Sequence, residues 1–162
     1  MTDSYRPCVI PGSFDPVTTG HLDLIRRCTV LFPAVYVTVF RNSAKDGLFS
    51  YEDRLAMLKL ATSDLPSVKC SFEDGLLAEF AGKLGAVIVK GIRSAADAEM
   101  ETYLSLTTRA ISPETETLFL PARQEYLHLS SSYVRELIRY GGSLRGAVPP
   151  EVETFIKTRK EG

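Results

Sequence analysis

The side chains in this sequence with the most chemistry to offer are donors. His21, Lys45, Lys90 and Arg93 supply cations or N–H groups and Ser13, Ser130, Ser131 and Ser132 supply hydroxyls, with no obvious nucleophile and base pair among them. A site built from donors suits an in-line displacement at phosphorus, where catalysis is chiefly positioning plus neutralising charge on the equatorial oxygens. If the attacking group is itself a phosphate monoester, whose second pKa is near ~6, it is already ionised at neutral pH and needs no general base. The lack of an evident catalytic Asp or Cys fits that chemistry. Taken singly, each residue also has an ordinary explanation. Lys45 stands in a polar loop where lysines are usually solvated, the three serines are N-cap material for a following helix, and a lone His21 could simply cap or pack.

What sets these residues apart is where the chain puts them. Cys8, Val9 and Ile10 read as the end of a buried strand, and Leu22, Leu24, Ile25, Cys28 and Leu31 give a helical apolar stripe. The stretch from Pro11 to His21 is therefore the handover from a first strand to a first helix. Such a helix start offers free N–H groups and the positive end of a dipole, and Gly12 and Gly20 are expected to let a phosphate approach the backbone. A second strand follows over Val35–Phe40, then a polar loop from Arg41 to Gly47 and a helix opened by Ser50 and Asp53. Val68–Phe72 alternates like a third strand, a short helix runs from Leu76 to Leu84 with Gly85 as its cap, and Ala86–Val89 is a wholly apolar fourth strand. Lys90 to Arg93 lead into a helix from about Asp97 to Ala110. A fifth strand follows over Glu116–Leu120, then a helix after the serines stopped by Gly141–Gly142, and a last helix opened by Pro149 with Val152, Phe155 and Ile156 on one face.

Alternation of this kind predicts an α/β fold: a Rossmann-like doubly wound parallel sheet of about five strands with helices on both faces. Ligands in such sheets bind outside the carboxyl ends of the strands, where the strand order reverses. Every residue singled out above falls at one of those ends. Surface solubility alone would not confine cations and hydroxyls to one rim.

The loop Gly12-Ser13-Phe14-Asp15-Pro16-Val17-Thr18-Thr19-Gly20-His21 resembles the T/H-x-G-H signature of the nucleotidyltransferase superfamily, in the longer form found in phosphopantetheine adenylyltransferases. The Gly91-Ile92-Arg93 turn and Ser130-Ser131-Ser132-Tyr133-Val134-Arg135-Glu136 resemble two later motifs of the same family, and the chain length agrees. The resemblance implies transfer of AMP from ATP to 4'-phosphopantetheine, giving dephospho-coenzyme A and pyrophosphate, with Mg2+ as charge partner of the triphosphate. It implies catalytic roles for His21, Lys45 and Ser13. ATP contacts would fall to Ser13, Phe14, His21, Gly91, Ile92, Arg93, Glu101 and the run Tyr126, Leu127, His128, Leu129, Ser130, Ser131 and Ser132. Acceptor contacts would fall to Ser13, Lys45, Leu77 and Lys90. A homohexamer and feedback binding of coenzyme A are implied as well.

The chain departs from the family pattern in places. Lys90 stands where many relatives carry Arg, exchanging a bidentate fork for a point charge. Ala98 and Met100 replace common aromatics, and Ser43 replaces a frequent Pro. Other adenylyl- or cytidylyltransferases of the superfamily, and a nucleotide-binding module that never turns over, remain alternatives. The joint presence of His21 and Lys45 argues for turnover.

Composition sets the outer bounds. With 162 residues, 44% hydrophobic and 24% charged, the chain is expected to form one nucleotidyltransferase domain, residues 1–162, with the C-terminal helices packed on it. A net charge of −1 gives no global field to recruit nucleic acid or an anionic membrane, so any anion site must be local. Three cysteines, Cys8, Cys28 and Cys70, with no Cys-x-x-Cys spacing fit reduced thiols. The opening residues Met1 to Arg6 lack an apolar h-region and no apolar run approaches spanning length, so a soluble cytoplasmic protein is expected.

Overall fold

A computed structural model describes residues 5–41 and 47–161. Five strands, β1 (Cys8–Gly12), β2 (Val35–Phe40), β3 (Val68–Glu73), β4 (Val87–Ile92) and β5 (Thr117–Pro121), form one sheet. Its order is β3-β2-β1-β4-β5, and every pairing is parallel. The chain winds outward one way from β1 to β3 and the other way from β4 to β5, so the order reverses between β1 and β4.

Helices α1 (Thr19–Leu31), α2 (Tyr51–Ala61), α3 (Leu77–Leu84), α4 (Ala95–Ile111), α5 (Ser131–Tyr140) and α6 (Pro150–Glu161) supply the crossovers and the C-terminal cover. The larger core packs Ile10, Val35, Val37 and Val39 against Ile25 and Cys28 of α1, Met57 and Leu58 of α2, Val134 and Ile138 of α5, and Val152 and Ile156 of α6. On the other face, Val9 and Ile88 pack against Ala81 with Leu77, Phe80 and Leu84 of α3. Burial on both faces explains why β2 reads as a nearly continuous apolar run, with even Thr38 fully buried and bonded to Ser71 at 3.1 Å.

Local signals in the sequence set most helix ends. Ser50 caps α2 by accepting from the Asp53 N–H, Ser94 caps α4 through Asp97, and Ser130 caps α5 through Tyr133. Gly85 and Gly141 close α3 and α5 in the left-handed region, with φ of 59° and 72°. Pro150 opens α6, one residue later than expected. Leu31 ends α1 largely exposed, so the expected apolar stripe stops at Cys28. Strand β4 runs three residues past its apolar stretch: Lys90, Gly91 and Ile92 stay paired to Phe119, Leu120 and Pro121.

The register shows how the sheet makes room for a ligand. Strand β1 pairs with β4 only through Cys8↔Val87 and Val9↔Ile88, while it follows β2 as far as Gly12↔Val39. Beyond Val9 the two central strands part, each staying with its outer neighbour, and the sheet forks at its carboxyl end.

Candidate active site

The loop from β1 to α1 lies at that fork. Phe14, a fully buried aromatic at φ 44°, folds its ring back over the strand. A Cβ on Gly12 would come 2.9 Å from that ring, so the glycine serves Phe14, not an incoming phosphate. A Cβ on Gly20 would stand 3.4 Å from the Cβ of Tyr126. That is an ordinary contact, and it places the start of α1 beside the 3-10 turn Gln124–Tyr126. The expectation that both glycines clear a path for phosphate is thus corrected at Gly12, whose missing side chain makes way for the Phe14 ring; at Gly20 a Cβ would meet only ordinary contacts.

At the start of α1 the Thr18 hydroxyl accepts from the His21 N–H at 3.2 Å, and the Thr18 N–H donates to Nδ1 of His21 at 3.0 Å. This is a capping box in which an imidazole takes the place usually held by Glu or Gln. A ring nitrogen that accepts from an amide carries no proton, so the proton of neutral His21 is on Nε2. Burial, aided by the nearby Arg93 charge, pushes the His21 pKa down to about 4. At neutral pH the side chain is therefore an uncharged N–H donor of fixed tautomer. The edge of the Phe14 ring, with centroids 5.1 Å apart and planes at 70°, braces it from the side.

Two further segments close on this helix start. Arg93, just beyond β4, donates through Nη1 to the Leu129 carbonyl at 3.0 Å and is anchored by Asp97 at 3.3 Å. It links the β4 end to the residue preceding the serines. Ser131, at the start of α5, donates to the Pro16 carbonyl at 2.9 Å, and Ser132 accepts from Arg135 at 2.9 Å. Of the three serine hydroxyls only Ser131 spends its proton within the protein; Ser130 and Ser132 accept, so α5 offers an anion their O–H groups as well as first-turn backbone N–H groups.

Beneath the loop lies an ion-pair cluster that the sequence reading missed. The Asp15 carboxylate, 3% exposed, accepts from the Leu48 and Phe49 N–H groups, each at 2.9 Å, and pairs with Arg54 Nε at 3.3 Å. Arg54 also donates to the Phe49 carbonyl at 2.9 Å and lies over the Tyr51 ring. A side chain on Gly47 would collide with the Arg54 guanidinium. Arg135 reaches over from α5 and donates to the Asp15 carbonyl at 2.8 Å. The hint of this cluster in the sequence is a carboxylate set between Phe14 and the Pro16-Val17 pair.

A cavity of about 220 Å³ opens on the opposite side of β4, lined by Leu76, Leu77 and Ala78 of the α3 start, by Lys90, and by Glu101, Leu104 and neighbouring α4 residues. Lys90 and Glu101 pair within it at 3.1 Å, both largely shielded from water.

The structure thus gathers His21, Phe14, Arg93, Tyr126, Leu129, Ser130 and Ser131 around one rim and sets Leu77, Lys90 and Glu101 together in the adjoining cavity. Gly91 and Ile92 form the last turn-ward residues of β4, and Ser13 is exposed at the loop's outer edge. Leu127 and His128 are exposed, His128 lying edge-on to Tyr133. Lys45 and Ser43 lie outside the described residues. Among the described residues no group of three or more His, Cys, Asp or Glu is placed to hold a metal ion, and no helix is long and apolar enough to cross a membrane.

A forked parallel sheet whose carboxyl rim presents helix starts, a neutral imidazole donor and an arginine defines a nucleotidyltransferase type of site. In agreement, residues 9–137 match the family described as Cytidylyltransferase-like. The chain is 47% identical over 157 residues, covering 93% of its length and 97% of the relative's, to the phosphopantetheine adenylyltransferase of Symbiobacterium thermophilum. It belongs to the phosphopantetheine adenylyltransferases of that wider family.

Proposed function

We propose that this protein transfers the adenylyl group of ATP to 4'-phosphopantetheine, releasing pyrophosphate and forming dephospho-coenzyme A, a step of coenzyme A biosynthesis. An oxygen of the acceptor phosphate attacks the α-phosphorus of ATP, a new P–O bond forms, and the bond to the β-phosphate bridging oxygen breaks as pyrophosphate departs. The acceptor is ionised already, so no residue has to remove a proton. The catalytic load then falls on donors aimed at charge that develops on the reacting phosphate.

One observation carries this reading: His21 is locked by the Thr18 cap as a neutral Nε2 donor beside Arg93, at the fork of the sheet. A donor fixed before the substrate arrives loses no reorganisation energy during reaction. On this reading His21 and Lys45 stabilise the transition state, with Ser13 beside the acceptor phosphate. Phe14, Gly91 to Arg93 and Tyr126 to Ser132 cradle ATP. Lys90 and Leu77 receive the acceptor, the apolar lining of the 220 Å³ cavity suiting its pantetheine arm. Glu101, assigned to ATP by the family pattern, is paired with Lys90 in that cavity and so acts first on the acceptor side.

Mg2+ is proposed to arrive as part of the substrate, held by triphosphate oxygens and water. Coenzyme A, which carries the product's pantetheine arm, is the proposed feedback ligand, and the proposed setting is the cytoplasm. Helix α4 has no buried residue and exposes Met100, Tyr103 and Leu106, each at least 62%, which supports a homo-oligomer, proposed to be a hexamer.

The test is pyrophosphate release from ATP with 4'-phosphopantetheine, set against nicotinamide mononucleotide, and from CTP with a phosphorylated alcohol. Dephospho-coenzyme A formed with the first pair alone is the expected result. Equal or better turnover with another acceptor would reassign the substrate, and no turnover with any pair would leave a binding module.

A further inference from the structure

We infer that Arg135 is a positioning residue, spanning from α5 to the loop before α1 and holding that loop in the shape His21 requires. This inference rests on the adenylyl-transfer reading of the rim. Arg135 stands one turn into α5, and its guanidinium is turned inward onto the loop. Nη1 donates to the Asp15 carbonyl at 2.8 Å, Nη2 donates to Ser132 Oγ at 2.9 Å, and Nη1 stands 3.6 Å from Asp15 Oδ2. Ser131, from the same helix turn, donates to the next carbonyl, that of Pro16, at 2.9 Å. Two adjacent peptide oxygens of the loop are thus gripped by side chains of a helix more than a hundred residues away in sequence.

Three features make this grip a device for geometry and not merely an ion pair. The Asp15 carboxylate already has Arg54 at 3.3 Å and two backbone N–H groups at 2.9 Å, so its charge is met without Arg135. The shorter Arg135 contact goes to the main chain and not to the carboxylate. The gripped peptides follow directly on Phe14, whose φ of 44° is costly for a bulky residue and persists only where surroundings over-determine it. Phe14 in turn supports the His21 ring edge-on. The chain of contacts runs from Arg135 through the Asp15 peptide and Phe14 to the imidazole. It also ties the helix start proposed for the ATP phosphates to the loop bearing the donor. A fork with two usable nitrogens suits this bridging task better than a single ammonium.

The experiment uses the full-length enzyme with Arg135→Gln and Arg135→Lys, each checked for folding by circular dichroism. Steady-state kinetics are read with ATP and 4'-phosphopantetheine, and the His21 ring nitrogens are followed by long-range 1H–15N NMR without substrates. Arg135→Gln is expected to lower kcat by about 10- to 100-fold, the scale of a displacement near 1 Å in a catalytic group, with KM for ATP changed less than about twofold. The same variant should shift the His21 ring signals, and Arg135→Lys should recover part of both effects. A large rise in KM for ATP with kcat and the ring signals unchanged would make Arg135 a direct phosphate ligand and overturn the inference. Unchanged kinetics and signals would overturn it as well. If Arg135→Gln does not fold, Arg135→Lys carries the same comparison, with smaller shifts in kcat and ring signals expected and their absence decisive. Wild-type turnover is the separate control: if it is absent, the substrate assignment fails, while the NMR comparison still decides whether Arg135 holds the His21 loop.

Discussion

Lowering the pH probes the state of His21 most directly. Burial and Arg93 hold its pKa near 4 instead of 6.5, so the folded protein keeps it neutral over a range in which a free imidazole charges. At pH 5.5 an ordinary histidine is about nine-tenths protonated, whereas His21 should be only a few per cent protonated. The folded pKa is depressed, so the unfolded chain takes up a proton that the folded one refuses. His21 therefore has no pH-dependent effect on stability above about 6.5, and stability falls as pH drops from 6.5 toward 4. At ~1.4 kcal/mol per pH unit across that gap, the loss amounts to about 3 kcal/mol. His21→Gln isolates this contribution, because Gln at the same place can keep the cap with Thr18 and does not titrate. Urea unfolding of both proteins from pH 7.5 to 4.5 should show wild type losing stability relative to the variant over most of that range. The chain has two histidines, so NMR titration in a His128→Gln background reads His21 alone. A midpoint near 6.5, or a stability difference flat with pH, would refute both the neutral donor and the burial that enforces it.

Other perturbations test separate parts of the site. His21→Ala should reduce kcat by roughly 100- to 1000-fold with ATP affinity largely kept, as for loss of a single preorganised donor; unchanged turnover would remove His21 from the chemistry. Gly12→Ala sets a methyl 2.9 Å from the Phe14 ring and should destabilise by about 1–3 kcal/mol while lowering kcat, both measurable on one purified sample. Asp15→Asn leaves the buried Arg54 guanidinium without its carboxylate and should cost about 3–5 kcal/mol in urea unfolding; a loss below about 1 kcal/mol would show that the two backbone N–H groups and Arg135 suffice to hold the loop. Lys90→Met should raise KM for 4'-phosphopantetheine about tenfold or more and leave KM for ATP unchanged, and the reverse pattern would move Lys90 to the nucleotide side.

The fold was legible in the sequence because its signals are local. β-branched runs such as Val35–Phe40 and serine caps at 50 and 130 each act within a few residues, and alternation of strand and helix leaves few topologies; the Ser94 cap went unread, so α4 was expected from about Asp97 and starts at Ala95. The end of β4 was misjudged because Lys90 and Gly91 look like punctuation, whereas their pairing with Phe119 and Leu120 keeps them in the sheet. The rim was visible as well, since strand ends predict it. What lay beyond reach was the cluster under the rim. Asp15 meets partners 33, 34, 39 and 120 positions away, and no periodicity or motif spacing encodes such contacts. Gly12 misled for a similar reason: a missing Cβ reveals that something approaches closely, but only the packed structure tells whether that is a phosphate or the ring of Phe14.

In the first turn of α1, the imidazole that completes the cap is also the group proposed to meet the phosphate. On the proposed role, winding this helix and setting the donor are one event, and a molecule in which the turn has frayed is expected to lose turnover together with its cap. At Thr18 a change that removes the hydroxyl is then expected to weaken the helix start and the reaction together, while Ser, which keeps it, should spare both.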